Sequence, residues 1–469
     1  MKNIRFLFLL LLISFTINCF ADGYKIKVHI KGLKDVDLYL GYHFADKKFV
    51  VDTIKIDNKG NGIFEGNEPL KKGIYLIVMP NKTYFEILID NDQEFSVETD
   101  TTDYINNMKF SGSSENNIFL NYNKYMIEQQ KKAADIRKKL GNKDIDEDST
   151  KYYKDELTKT NDNVKQKWNE IISENPNSLL AKIVNILIDV EIPDAPVNEN
   201  GNITDSLFQY NYFKDHFFDH FDFSESGLLR TPLIQNKINY FIKKVIVQNP
   251  DSIIKETGKL IEKAKVNDEF FQYIVQLIFN HYNSSNIMGM DRIFVNIAEK
   301  YYLSGQATWA DSTFLKKIEE RVIKLKPNLI GKIAPDLRMI TIDGNITTLH
   351  QSSKKFTILY FWEPDCGHCK KIIPKLHKLY QKYWEKGVEV FAVYTQVEKE
   401  KWEEFINDKG MTDWINVYDP YNLSNYRNLY DIYSTPVAFV LNSKNEIIAK
   451  RIDIETIELV LEEEFKKEK

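Results

Sequence analysis

The stretch from Phe356 to Pro374, FTILYFWEPDCGHCKKIIP, constrains the chain more than any other. The apolar run Phe356 to Trp362 reads as a strand, Glu363-Pro364-Asp365 interrupts it, and the lysine-flanked amphipathic run after Cys366-Gly367-His368-Cys369 reads as a helix. A cysteine pair is thereby expected at a helix N-terminus.

At that position unpaired backbone N–H groups and the positive end of the helix dipole favour a thiolate on the first cysteine. A thiolate, not a thiol, attacks disulfides. Cys366 is therefore the candidate nucleophile, and Cys369, one helical turn deeper, is the candidate thiol that resolves a mixed disulfide. His368 lies between them; when protonated it adds positive charge beside Cys366, favours the reduced thiolate form and makes the pair a better oxidant. The same spacing is also half of a zinc site, which would need two more ligands. Neither a second C-x-x-C nor an H-x-x-x-H follows it.

A chain of 469 residues is too long for one core and suggests two to four domains. With 63 Lys and Arg against 68 Asp and Glu spread along the chain, there is no basic patch to argue for nucleic acid. Lys2 and Arg5 precede a short apolar block, Phe6 to Ile13, followed by Ser14 to Ala21, which fits a secretory leader (residues 1–21) better than a membrane span. Cleavage after Ala21 would leave Asp22 first; alternatively Cys19 could carry a lipid, although Asn18 is a poor residue before it. Of the three cysteines, Cys19 belongs to this leader, so the exported chain keeps Cys366 and Cys369. A loop that short does little to staple a fold, which leaves chemistry as the reason for the pair.

Residues 22–111 alternate in short runs such as YKIKVHIKG and TYFEILID, punctuated by turns, and predict an antiparallel β-sandwich or barrel. His29 and His43 fit exposed strand positions there. Residues 112–326 carry helical periodicity with breaks at Asn175-Pro176 and Pro193 to Pro196, and predict an all-α domain. Two features stand out in it. His216 and His220, in DHFFDHFD, are four apart as on one helical face, but Phe217 occupies the place of the glutamate a zinc protease needs, so aromatic packing is the expectation. Ile287-Met288-Gly289-Met290-Asp291 reads as a buried turn or a partner-binding patch. After a linker at Gly331 to Pro335, strands and helices alternate over residues 333–469.

Mixed α/β order with a redox pair at a strand-to-helix junction specifies a thioredoxin fold. From about Ile333 the chain resembles the exported thioredoxin-like family of TlpA/ResA type. The likeness is carried by GKIAPDL, the turn at Asp343-Gly344, LYFWEPDCGHC, Pro374 inside the helix, GVEVFAV and Ser434-Thr435-Pro436. The upstream strands and helices resemble the long amino-terminal extensions of such proteins in Bacteroidetes-type bacteria. The resemblance implies that Thr435-Pro436 is the cis-proline loop facing the cysteines; the residues alone fit either a cis X-Pro bond or an ordinary proline opening a strand.

Glu389 is the lone charge inside the apolar strand Val388 to Val393. Buried below the cysteines, it would have a raised pKa and could exchange a proton with Cys369; at an exposed strand end it would do neither. A glutamate there also resembles the family's active-site acid. The chain departs from the thioredoxin pattern at Tyr360, six residues before Cys366, where thioredoxins carry a buried aspartate. Gly367-His368 is the pair of protein disulfide isomerase rather than of the reductases.

The expected function is an exported thiol:disulfide oxidoreductase acting on protein thiols and disulfides, with Pro436 positioning the substrate. The pair Cys366 and Cys369 would serve in place of any cofactor. The family implies a membrane dithiol donor of DsbD/CcdA type if the chain reduces, and a quinone-linked oxidant if it oxidises. The alternatives are a disulfide oxidase or isomerase, and an envelope binding protein whose thioredoxin domain only senses redox state or is vestigial.

Overall fold

The structure, a computed structural model, describes residues 23–467 apart from residue 143. The expected leader and Cys19 lie outside the described residues. The chain divides into two compact units, one ending at Val245 and the other starting at Ile246.

The first unit opens with eight strands: β1 Tyr24–Lys31, β2 Asp37–Phe44, β3 Lys47–Lys55, β4 Asn61–Gly66, β5 Gly73–Val78, β6 Tyr84–Ile89, β7 Glu94–Asp100 and β8 Lys109–Ser111. They form two four-stranded sheets, in the orders β4-β1-β7-β8 and β3-β2-β5-β6. Alternation along β1 buries Ile26, Val28 and Ile30 and leaves Lys27 and His29 between them more exposed. These residues meet Leu40, Ile77 and Ile87 of the other sheet in one core. One pairing departs from a purely antiparallel sandwich: β1 and β7 run parallel. Parallel neighbours need a long crossover, and β2 to β6 supply it on the way between them.

Five helices follow: α1 Ser114–Leu140, α2 Glu147–Glu174, α3 Leu179–Asn185, α4 Phe208–His216 and α5 Ile234–Tyr240. The polar Asn116 of α1 is fully buried because it satisfies the backbone of β6, accepting from the Leu88 N–H and donating to the Leu88 carbonyl, both at 2.8 Å. His216 is the last residue of α4, so it does not share a helical face with His220. It meets Asp219 at 2.5 Å instead, while Phe217, Phe218, Phe221 and Phe223 are buried with ring centroids 4.3 to 5.8 Å apart.

The second unit begins with α6 Pro250–Ala264, α7 Asp268–Asn283, α8 Asp291–Ile297 and α9 Ser312–Leu325. The helices expected over 112–326 thus fall on both sides of the division between units. Then come β9 Arg338–Thr341, β10 Ile346–Thr348, β11 Phe356–Trp362, α10 Gly367–Tyr383, β12 Val388–Tyr394, α11 Lys399–Lys409, β13 Ile415–Tyr418, α12 Tyr426–Leu429, β14 Val437–Asn442, β15 Ile447–Lys450 and α13 Ile454–Lys467. The strands form one mixed sheet in the order β10-β9-β13-β12-β11-β14-β15.

Every residue of β11 is buried, as a continuous apolar run predicts for a strand covered on both faces. Ile358, Tyr360 and Trp362 face a core shared with α10 and α13; Leu359 and Phe361 face another that includes Tyr430 and Phe439. Helix α8 and the turn after α9 are tied to this sheet by polar contacts of the buried Lys450. Lys450 Nζ donates to Asp291 and, at 2.9 Å each, to the carbonyl and side-chain oxygens of Asn328. Met288 Sδ accepts from the Lys450 N–H at 3.5 Å, so Met288 and Asp291 contact β15, while Ile287 is exposed and is no buried turn.

Candidate active site

Three parallel strands, β11, β12 and β13, end on the same edge of the sheet, and antiparallel β14 begins there, with Val437 paired to Phe361. That register explains why residues far apart in sequence converge. The segment leaving β11 carries Glu363 to Cys366, and the segment entering β14 carries Ser434 to Pro436.

Cys366 is the N-cap of α10, with an extended backbone and a side chain that accepts the Cys369 N–H at 3.2 Å. Its Sγ lies 3.3 Å from the carbonyl oxygen of Thr435. Both cysteines are free thiols; Cys366 is partly exposed and Cys369 is completely buried. Partial burial pushes the Cys366 thiol up, but hydrogen bonds from the Cys369 side chain and amide, from the Thr435 side chain and from the His368 amide outweigh it, and the thiol ends below the ordinary cysteine range. Cys369 goes the other way: burial, and then the hydrogen bond with Cys366, hold it well above that range. The two environments separate an accessible sulfur that ionises readily from a buried one that does not.

The Thr435-Pro436 peptide is cis. Thr435 Oγ1 donates to Glu363 Oε1 at 2.9 Å, and Gln396 Nε2 donates to Glu363 Oε2 at 3.3 Å. Glu363 therefore joins three segments at the edge of the sheet, those following β11 and β12 and the one preceding β14. Sequence reasoning missed it; the signal was a single acidic residue directly after a wholly apolar strand. Gly367 and His368 are exposed, and His368 lines an open groove of about 490 Å³ with Ile372, Ser434, Pro436, Arg451 and Ile452. Arg451, also missed, is held at one wall by Asp431, whose carboxylate accepts from it at 3.0 Å and from Arg321 of α9 at 2.7 Å.

Glu389 is not brought to this site, and its expected role as the proton carrier for Cys369 is corrected. It pairs with Thr357 near the start of β12, whereas the cysteine end of the strand pair is Trp362 and Tyr394. Tyr394 lies five positions along the strand from Glu389, about 16 Å at roughly 3.3 Å per residue. Alternation fixes the face of a strand on which a residue lies; only the register fixes which end. Burial does raise the Glu389 pKa, partly offset by the Val390 N–H and Lys354. Among the described residues no group of three or more His, Cys, Asp or Glu is arranged to hold a metal ion, and no helix is long and apolar enough to cross a membrane.

Comparison with known proteins agrees with this geometry. Residues 330–450 match the AhpC/TSA family, while residues 24–119 and 149–328 match the domains of unknown function DUF4369 and DUF5106. The thiol-disulfide oxidoreductase ResA of Bacillus thuringiensis is 28% identical over 129 residues, covering 28% of this chain and 73% of the relative. The thioredoxin-like protein YneN of Bacillus subtilis is 25% identical over 122 residues, covering 25% and 68%. Among solved structures, a domain of a possible thiol-disulfide isomerase from Cytophaga hutchinsonii is 40% identical, with a TM-score of 0.28, and the match covers 30% of this chain and 97% of that one.

Proposed function

We propose, from the premise that the chain belongs to the ResA/TlpA-type thioredoxin-like thiol-disulfide oxidoreductases, that it reduces disulfides of protein clients outside the cytoplasm. The observation that carries this reading is the position of the Cys366 Sγ, partly exposed at the mouth of α10, 3.2 Å from the Cys369 N–H and 3.3 Å from the Thr435 carbonyl.

The Cys366 thiolate attacks one sulfur of a client disulfide. The client's other sulfur leaves as a thiolate, and Cys366 is joined to the client by a mixed disulfide. Cys369 then attacks Cys366 Sγ, a Cys366–Cys369 disulfide forms, and the client departs fully reduced. Pro436 has no N–H, so an extended client segment lying beside it meets the carbonyls of the loop and the side of the ring. No further cofactor takes part. The oxidised pair is returned to the dithiol by a membrane dithiol donor of DsbD/CcdA type. Export rests on the short apolar block Phe6 to Ile13 behind Lys2 and Arg5; cell fractionation with N-terminal sequencing of the mature chain tests it, and recovery of an uncleaved cytoplasmic chain would refute it.

A second direction, oxidation of client dithiols by the Cys366–Cys369 disulfide or isomerisation of client disulfides, is favoured by the exposed His368 beside Cys366. The reduction potential decides between them: a value near about −270 mV supports reduction and one near about −120 mV supports oxidation. Insulin reduction by the full chain, lost in Cys366→Ser, tests the exchange reading itself. Unaltered turnover in that variant would overturn it.

A further inference from the structure

Tyr360 stands where thioredoxins carry a buried carboxylate, and its surroundings differ from those of an ordinary core tyrosine. On β11 it is flanked by two alanines, Ala392 of β12 and Ala438 of β14, so the space over the strand is left to its ring. It shares one core with Cys369 and Ile373 on the first turns of α10. The residue is 1% exposed, and its hydroxyl has no hydrogen-bond partner among the described residues. A buried donor without a partner is costly and rare, so its retention asks for a reason. Tyr301 also has an unpartnered hydroxyl, far from the cysteines in sequence, and in the core of Tyr360 the N–H groups of Trp362, Trp402 and Trp414 are unpartnered too, but their rings pack against Tyr394, Phe405, Tyr418 and Tyr380.

We propose that the Tyr360 hydroxyl donates a hydrogen bond to the Cys369 sulfur as that sulfur becomes a thiolate, and so speeds resolution of the mixed disulfide. The inference rests on the thiol-exchange reading above and adds a residue to its second step. Burial, and then the charges of Cys369 and Cys366, hold the phenol far above its ordinary pKa. Tyr360 therefore keeps its proton throughout the working range. A carboxylate at this position could take the Cys369 proton; a phenol cannot, and can only offer its own to be shared. That offer matters because Cys369 is completely buried, where an uncompensated thiolate is expensive and a hydrogen bond to a charged sulfur is strong.

The step balances without another reagent. The Cys369 S–H gives up its proton and its sulfur attacks Cys366 Sγ. The bond between Cys366 and the client sulfur breaks as the Cys366–Cys369 bond forms, and the departing client thiolate ends with the proton. The client sulfur is reduced, and the cysteine pair is oxidised.

The aromatic disulfide 5,5′-dithiobis(2-nitrobenzoate) separates the two steps on the full chain, since attack by Cys366 releases one coloured thiolate and resolution by Cys369 releases a second. In Tyr360→Phe the first release should keep its rate within about twofold, while the second slows about tenfold or more. Its thermal midpoint should be unchanged or higher, because an unpaired hydroxyl has been removed from the core. A second release as fast as in the unaltered chain overturns the proposal. Equal slowing of both releases also overturns it, since the effect would then lie in the fold or in Cys366. Loss of either release in the unaltered chain would refute the exchange reading instead.

Discussion

The Sγ of Cys366 and the carbonyl oxygen of Thr435 lie 3.3 Å apart across 69 residues of sequence. Each belongs to a segment at the same edge of the sheet, one leaving β11 and the other entering β14, so the sheet itself sets the contact.

From the two cysteine environments, alkylation by iodoacetamide should distinguish the thiols. The Cys366 pKa lies below that of an ordinary cysteine, so its rate should rise to a plateau at lower pH than that of a free thiol, near about 8.5. Cys369 should remain unreactive until strongly alkaline pH. In turnover, Cys366→Ser should lose at least about a thousandfold. Cys369→Ser should accumulate a mixed disulfide with the client, visible by mass spectrometry under non-reducing conditions.

The hydrogen bond from Thr435 to Glu363 leads to a prediction about client binding. Thr435→Val keeps the shape of the side chain but removes the donor to Glu363 Oε1. The expected cost is about 1 kcal/mol in stability, with KM for a client disulfide raised severalfold and the pH profile of Cys366 alkylation moved to higher pH, because the Thr435 side chain helps to hold that thiol down. Glu363→Gln, which retains an acceptor oxygen, should behave closer to the unaltered chain. Parallel denaturant unfolding and steady-state kinetics check both.

Removing the Glu389 carboxylate should leave activity alone. The residue sits at the far end of β12 from the cysteines, so Glu389→Gln should reduce clients at a rate within about twofold of the unaltered chain, because positioned acid–base groups act only within hydrogen-bond reach. Stability should respond instead. Burial raises its folded-state pKa above the ordinary 4.5, so the folded chain binds that proton more tightly than the unfolded one. The stabilisation is complete below the unfolded value and is lost as pH rises through the folded one. Thermal unfolding should therefore favour the glutamine variant at neutral pH, with the difference closing in acid.

Lys450 tests the link between the helices and the sheet of the second unit. Its ammonium is 3% exposed as a residue and is held by Asp291 and both oxygens of Asn328. Lys450→Ala leaves the partly buried Asp291 carboxylate without its partner and should cost about 1–3 kcal/mol. Lys450→Met together with Asp291→Leu should recover much of that loss, since apolar replacement of both partners removes the stranded charge. Urea unfolding of the two variants and the unaltered chain measures the difference.

Local sequence by itself determined the strand, the breaking Glu363-Pro364-Asp365 turn and the helix that begins after Cys366. Apolar periodicity and helix-end chemistry act over a few residues, so CGHC could be read as a dithiol at a helix mouth without reference to the rest of the chain. The same local signals separated the strand-rich and helical stretches. The tertiary structure alone decided which distant groups meet that sulfur. Only the register of β11 with β12 and β14 placed Glu389 at the wrong end of the sheet, brought Thr435 and Glu363 to the right one, and set Tyr360 between two alanines under α10. A residue's face follows from a period of two, which any short window reveals; its depth along the sheet follows from pairing with strands elsewhere in the chain, which no window contains.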